Sequence, residues 1–298
     1  MLEYKKLTLN DIEKTRDYFL FSSNKACDNT VGGTYMWRDY FRTEFTEFND
    51  TLIFKVKIKY HGGINAFSLP LGKDVNGSIL ETEKYCRALK IPLVFCKITK
   101  EEILLIEKLF RNRNVMLYKE TNWSDYVYNA RDLVTLAGRK FSGQRNHINR
   151  FHKSYDSFSF EVITEINLNE VRDFYTDFCN SINKTSDVFE EDKVKTFEVL
   201  DNYNQYGLFG GLIRVDSKVA AFSIGEICND VLHVHIEKAD TKYNGIYQIM
   251  NNEFAKHYAS DNINFINRED DAGDEGLRRA KEAYHPCEII EKYIVEVL

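Results

Sequence analysis

The sequence predicts a protein of the α/β (α+β) class made of two similar halves, and three observations carry that expectation. Strand-like and helix-like periodicities alternate through the first half. The second half repeats that character at similar size. At the junction lies GRKFSGQRNHINRFHK (138–153), with five Lys or Arg, two His and no acid, in a chain of formal net charge −6. Only three prolines and no low-complexity tract occur, so no flexible linker is expected. The predicted organisation is 1–137, a basic connecting helix 138–155, and 156–298.

The elements follow in order. DIEKTRDYFL (11–20) opens with Asp11 as an N-cap and carries Ile12, Tyr18 and Phe19 at helical spacing. TLIFKVKIKY (51–60) alternates Leu52, Phe54, Val56, Ile58 and Tyr60 with lysines, the period of a half-buried strand. HGG (61–63) turns the chain into a paired strand, INAFSLPLG. A helix (78–90), a strand (91–98) and a helix (101–112) complete this half. In the second half, 171–182 and 190–205 read as helices, and 208–215, 218–227 and 230–239 as successive strands. The loop TKYNG, a helix (246–259), a strand (263–267), a helix (274–284) and one last strand (288–297) follow.

With 298 residues, 43% hydrophobic and 14% aromatic, the chain can fill two cores of ordinary size. No stretch approaches eighteen uninterrupted apolar residues, so no integral membrane segment is expected. The N-terminus MLEYKKLTLNDIEK lacks a signal peptide's apolar core, which places the chain in the cytoplasm. Six cysteines without a C-x-x-C pair argue against a zinc module or a disulfide framework. The acidic balance argues against a general nucleic-acid binder, although a local basic patch can still hold a phosphate-bearing ligand.

On a helix, Phe141, Ile148, Phe151 and Tyr155 form an apolar stripe interrupted by Gln144 and Arg145. A guanidinium there needs a partner, because leaving a buried charge unpaired costs about 3–5 kcal/mol. Either the basic face pairs with acids of the surrounding domains, or Arg145, His147, Asn149 and Arg150 form an anion site that Asn146 orients.

GQRNHINRF, HIEKAD, INREDDAGDEGLRRAKEAYHP and CDNTVGGTYMWRDYF followed by TLIFKV together resemble a soluble bacterial family of unknown function related to the C-terminal domain of phosphatidylglycerol lysyltransferases. The resemblance covers nearly the whole chain. It implies two tandem GNAT-like acyltransferase domains, each a mixed central sheet flanked by helices. It also implies chemistry at an activated acyl carbon. The lysyltransferase relatives move an aminoacyl group from tRNA to a lipid headgroup, and ordinary members of the fold use acetyl-CoA.

Three stretches supply candidate site residues. In DTKYNGIYQ, Lys242, Asn244 and Gly245 occupy the strand-to-helix loop where this fold presents N–H groups to a diphosphate. Tyr247 stands where a small residue is usual, which counts against acetyl-CoA and leaves an aminoacyl-tRNA or another acyl donor open. Alternatively, Gly245 is only a turn glycine. His233, His235 and Glu237 share one face of a regular strand. No further Cys/His cluster completes a metal site, so Glu237 or His235 is better read as a base or orienting group. Polar side chains satisfied against the helix layer are the bland alternative.

In INREDDAGDEGLRRAKEAY, Asp274 can cap a helix on which Arg278, Lys281 and His285 form a basic edge and Leu277, Ala280 and Tyr284 an apolar one. A solvated face is the default for such a pattern. Against it, Asn267, Arg268, Glu269 and Asp270 directly follow a hydrophobic strand, whose end commonly faces the ligand in α/β layers.

The function expected is an acyl or aminoacyl transferase with a cleft between its halves, for a small anionic or acyl-bearing ligand. Glu237 or Glu269 accepts the proton, with Glu226 a weaker candidate, while Arg268, Arg278 or Lys281 steadies negative charge. The basic RNHINR run is expected to meet the acidic INREDD region, directly or across an anionic ligand. The rival is a non-catalytic binding or sensing protein for an anionic metabolite. A tRNA-binding accessory role is weakened by the net acidity.

Overall fold

Leu52, Phe54, Val56 and Ile58 are buried while Lys57 is exposed, so the period-two pattern forms a strand, although Thr51 and Ile53 on its other face are buried too and only the end at 55–58 is one-sided. In this computed structural model, which describes residues 1–182 and 187–298, that strand belongs to the first of two compact units. Unit 1 comprises Met1–Asp125, Asp270–Gly273 and Ile290–Leu298; unit 2 comprises Tyr126–Glu269 and Asp274–Ile289.

Unit 1 begins with β1 (Lys5–Lys6), α1 (Ile12–Thr15) and α2 (Val31–Tyr35). The helix expected over 11–20 is only α1 flanked by tighter 3-10 turns, with Asp11 and Thr8 closing a capping box. β2 (Glu44–Glu47), β3 (Thr51–Ile58) and β4 (Ile64–Phe67) run antiparallel, and β5 (Leu71–Gly72) pairs with β3. Asp74 caps α3 (Val75–Leu89), which returns the chain to β6 (Leu93–Ile98), parallel to β4 and joined to it at Phe67↔Phe95. α4 (Lys100–Leu109) and β7 (Val115–Lys119) follow, and the C-terminal strand Tyr293–Val297 inserts between β6 and β7.

Unit 2 holds β8 (Asp125–Asn129), α5 (Ala130–Thr135), α6 (Ser142–Ser154), β9 (Phe158–Val162), α7 (Leu168–Ser181), α8 (Asp187–Asp201) and α9 (Tyr203–Tyr206). Next come β10 (Phe209–Val215), β11 (Lys218–Cys228), β12 (Val231–Ala239), α10 (Ile246–Tyr258), β13 (Phe265–Asn267), α11 (Glu275–Glu282) and β14 (Glu288–Ile290). Among the described residues its sheet order is β14-β8-β13-β12-β11-β10-β9. β9 to β12 are antiparallel, and α10 then carries the chain to β13, parallel to β12. Antiparallel strands leading into a parallel strand–helix–strand step occur in both units, so each is a mixed sheet flanked by helices, as the GNAT-like resemblance implies.

The units divide at Asp125/Tyr126, not at 137/138, because β8 enters the second sheet and α5 and α6 pack on α10. The stripe of α6 is apolar as expected: Phe141 and Phe151 are fully buried, with Ile148 and Tyr155 packed beside them in the core that includes Ile249 and Phe254. The last strand is two. β14 stays in the sheet of unit 2, and the chain passes through Glu291 and Lys292 into β15, the Tyr293–Val297 strand of unit 1.

Candidate functional site

β12 and β13 are paired through Val231↔Phe265, Leu232↔Ile266 and His233↔Asn267. β13 then stops while β12 runs on to Ala239, leaving a fork in the sheet of unit 2. Two local features shape it. Against β11, Ile224 pairs with Ile236 but Gly225 pairs with Val234, so His235 is the extra residue of a β-bulge. A Cβ on Gly225 would sit 2.2 Å from the His233 carbonyl oxygen, so glycine is what lets the strands close there. On the other arm, Glu269 adopts φ 58 and its N–H donates to Asn267 Oδ1 at 2.6 Å, turning the chain sharply after Arg268. The bulge also breaks the regular alternation that would have set His235 and Glu237 on one uniform face.

The bulged His235 is fully buried between two carboxylates, with Nε2 2.9 Å from Glu226 Oε1 and Nδ1 2.6 Å from Glu269 Oε1. Burial alone would lower its pKa, but the hydrogen bonds and charges of Glu226 and Glu269 outweigh it and push the pKa up to about 10. Both ring nitrogens of His235 are thus engaged in an environment that favours its charged form, and neither Glu269 nor Glu226 presents the oxygen that binds it.

The second pair at the fork differs. Arg268 Nη2 donates to Glu237 Oε1 at 2.9 Å, and the guanidinium lies over Tyr284 at 5.1 Å and Tyr128 at 6.0 Å. Burial opposes its charge, and Glu237 together with the Tyr phenols outweighs burial, holding the pKa above the ordinary arginine value. Lys281 Nζ donates to the Arg268 carbonyl at 2.6 Å and so fixes the turn. Arg268 Nη1 and Glu237 Oε2 are both buried, and neither has a hydrogen-bond partner among the described residues. The same holds for Ser223 Oγ on β11, directly across from Glu237. A cationic donor, a carboxylate acceptor and a hydroxyl thus meet in a dry setting where each has bonding capacity left. Tyr247 is half-buried nearby, and burial, with the charge of Glu237, raises its phenol to about 12.

Of the residues singled out in the sequence, Asn267, Arg268, Glu237, Glu226, His235, Glu269, Lys281 and Tyr284 come together at this fork. The basic segment does not join them. Arg145 donates to the carbonyls of Leu136 and Gly138, closing the C-terminal end of α5, so its partner is backbone and not an acid. Asn146, His147, Asn149 and Arg150 lie exposed on α6. Arg139, Arg150 and Lys153 are exposed, and no acid pairs with them among the described residues. Asp270 falls in unit 1, where its carboxylate accepts the Ala272 N–H. Asp274 does cap α11, accepting the Gly276 and Leu277 N–H groups. However, α11 fully buries none of its residues and ends before Tyr284, so Leu277 and Ala280 form no core edge, while Arg278 and Lys281 are half-buried.

The loop before α10 is partly spent. Gly245 takes φ 89, the Asn244 N–H donates to Tyr155 Oη at 3.3 Å, and Lys242 pairs with Asp240 at 2.6 Å. A Cβ on Gly245 would lie 2.7 Å from the His147 carbonyl oxygen, which places α6 directly against the loop. Sequence reasoning missed Ser223 and Tyr128. A lone serine in the apolar run KVAAFSIGEI was the available signal for the first.

Unit 1 contains a different charged cluster. The ligand atoms of Cys27, Asp28 and Asp125 lie within 4.8 Å of one another, and Lys292 Nζ sits among them, 2.7 Å from Asp125 Oδ1, 2.5 Å from Asp28 Oδ2 and 3.5 Å from Cys27 Sγ. The ammonium supplies there the positive charge a metal ion would bring. Burial disfavours the charge on Lys292, yet the two aspartates outweigh it and hold the pKa well above the ordinary lysine value.

Comparison with known proteins identifies the family. A conserved protein of unknown function from Bacteroides thetaiotaomicron shares 30% identity over the full length of both chains, with a TM-score of 0.92. The C-terminal domain of a putative lysylphosphatidylglycerol synthetase from Agrobacterium fabrum shares the fold, at 13% identity and a TM-score of 0.69 over 96% of this chain and 91% of that one. A curated relative, the uncharacterized protein MYCGA3080 of Mycoplasmoides gallisepticum, is 27% identical over 179 residues, 59% of this chain but only 56% of its own length. The sequence profile for the C-terminal region of phosphatidylglycerol lysyltransferase matches residues 21–296, nearly all of both units, and the chain belongs to that family.

Proposed function

We propose that the protein is an acyl or aminoacyl transferase whose reaction takes place at the fork of unit 2. The observation that carries this is the buried pair of Arg268 Nη1 and Glu237 Oε2, a donor and an acceptor held together with bonding capacity left over. An amine or hydroxyl acceptor attacks the acyl carbon of an activated ester, and the bond to the donor's carrier breaks. Arg268 Nη1–H bonds the oxygen on which negative charge develops, and Glu237 Oε2 takes the proton from the nucleophile and returns it to the departing carrier oxygen, which leaves as a hydroxyl. The His235 imidazolium holds Glu269 and the turn, and Tyr128 and Tyr284 exclude water from the guanidinium.

A polyanionic carrier such as tRNA is favoured over acetyl-CoA for two reasons. The loop before α10 has Asn244 bonded to Tyr155 and α6 packed upon it. The exposed Arg139, Arg150 and Lys153 on and before α6 are available to phosphates. The test is incubation with a mixture of charged tRNAs and a panel of amine and hydroxyl acceptors, following acceptor-dependent loss of ester-linked amino acid in wild type and in Glu237→Gln. Turnover reduced about 10²–10⁴-fold by the substitution supports the proposal. Turnover that survives unchanged overturns it, and binding of the charged tRNA without turnover points to the non-catalytic alternative.

A further inference from the structure

Unit 1 repeats the fork. Its parallel strands β4 and β6 share the single register pair Phe67↔Phe95 and then part, with Ser68 continuing one arm and Cys96 and Lys97 the other. Lys97 takes φ 61, which kinks its arm as Glu269 kinks the corresponding arm in unit 2. The chemistry is repeated as well. Lys97 Nζ pairs with Asp28 Oδ1 at 2.6 Å and lies 4.3 Å from the centre of the Phe41 ring, just as Arg268 pairs with a single carboxylate and lies over tyrosines.

A cavity of about 40 Å³ opens at this point, lined by Phe41, Phe54, Ser68, Cys96, Lys97 and Glu102, among others. Ser68 Oγ is buried and has no hydrogen-bond partner among the described residues. Each oxygen of Glu102 already accepts one hydrogen bond, from Asn24 Nδ2 and from the Thr99 N–H, each at 2.8 Å. The groups that can address a ligand include the Ser68 hydroxyl, which donates or accepts, and the remaining N–H bonds of Lys97, on a wall that also carries Asp28, Asn29, Thr34 and Thr43 beside its aromatic and aliphatic side chains.

We propose that the fork of unit 1 is a second small-ligand site, and that it takes a neutral carbonyl group with a short apolar tail, of the size of acetamide. Size follows from volume, since about 10–15 Å³ suffices for each water-sized position and the cavity holds about three or four such positions. Ser68 and Lys97 offer donors to a carbonyl oxygen, the Asp28 carboxylate on the same wall disfavours an anion, and the phenylalanines take the tail. Neutrality follows from charge, because Lys97 and Lys292 are balanced by Asp28 and Asp125 in one connected network. A carboxylate would add an anion beside Asp28 with no cation left to offset it.

The test is an NMR titration of the full-length, isotope-labelled protein with acetamide and, separately, with sodium acetate, following the backbone amides of Ser68 and Lys97. Saturable shifts with acetamide are expected, with weaker or no saturation by acetate. Ser68→Ala, which removes one donor without adding bulk, should weaken acetamide about 3–10-fold. Ser68→Leu, which fills the cavity, should abolish the shifts, while the spectrum elsewhere reports that the variant is folded. Absence of saturable shifts overturns the proposal, as do shifts that persist unchanged in both variants. Tighter binding of acetate than of acetamide overturns the choice of a neutral ligand.

Discussion

Replacing Lys292 with Met keeps length and apolar bulk and removes a charge that is 1% exposed. Asp28 keeps a cation, because Lys97 stays 2.6 Å from its other oxygen. Asp125 is fully buried and loses its ammonium at 2.7 Å, keeping the Cys27 N–H at 2.8 Å. Removing one partner of a buried ion pair costs about 3–5 kcal/mol, against about 0–1 for a surface pair. At about 3 °C per kcal/mol for a unit of this size, calorimetry should show the transition of unit 1 falling by about 10–15 °C. The added change Asp125→Asn removes the stranded charge and should recover at least about half of that loss. A fall of under about 1 kcal/mol, or no recovery in the double variant, would refute the account of Lys292 as an internal counter-ion.

Three further outcomes are expected. Arg145→Met should lower stability by about 1–3 kcal/mol, through loss of its bonds to the Leu136 and Gly138 carbonyls, and leave ligand affinity intact; a loss of affinity without loss of stability would restore α6 as the anion site. His235 has a folded pKa near 10, above its unfolded value near 6.5, so its contribution is complete below about pH 6.5 and is lost as pH rises toward 10. Urea midpoints at pH 6, 8 and 10 should show the wild-type advantage over His235→Gln shrinking stepwise, and a constant advantage would contradict the imidazolium. Acetyl-CoA should not reach a micromolar constant, about −8 kcal/mol, in calorimetry, given the covered loop before α10.

Much of this fold was legible because its strands carry one-sided patterns and its helices carry caps. The alternation in 55–58, the Asp274 cap and the apolar stripe of α6 all behave as local physics requires. What was not legible depends on partners distant in sequence. Nothing local marks 288–297 as two strands, because the break at Lys292 is set by Asp28 and Asp125, far away in the chain. Arg145 was rightly expected to need a partner, but a backbone carbonyl leaves no mark in composition. Of the three carboxylates at the fork, Glu237 and Glu269 looked equivalent in sequence, with Glu226 ranked below them. Only the bulge at His235 sorts them, spending Glu226 and Glu269 on one imidazolium and leaving Glu237 with a free oxygen.

That free oxygen and the free Arg268 N–H are the centre of the account, and a stable amide analogue of an aminoacyl-adenosine end probes both at once. Its dissociation constant should be measured for wild type, Glu237→Gln and Arg268→Met by calorimetry, with folding checked by thermal melts. The account predicts saturable binding to wild type, weakened about 10–100-fold by the loss of either charged group, as expected for a buried charge-assisted hydrogen bond. Equal affinity in all three proteins, with the variants folded, would contradict it.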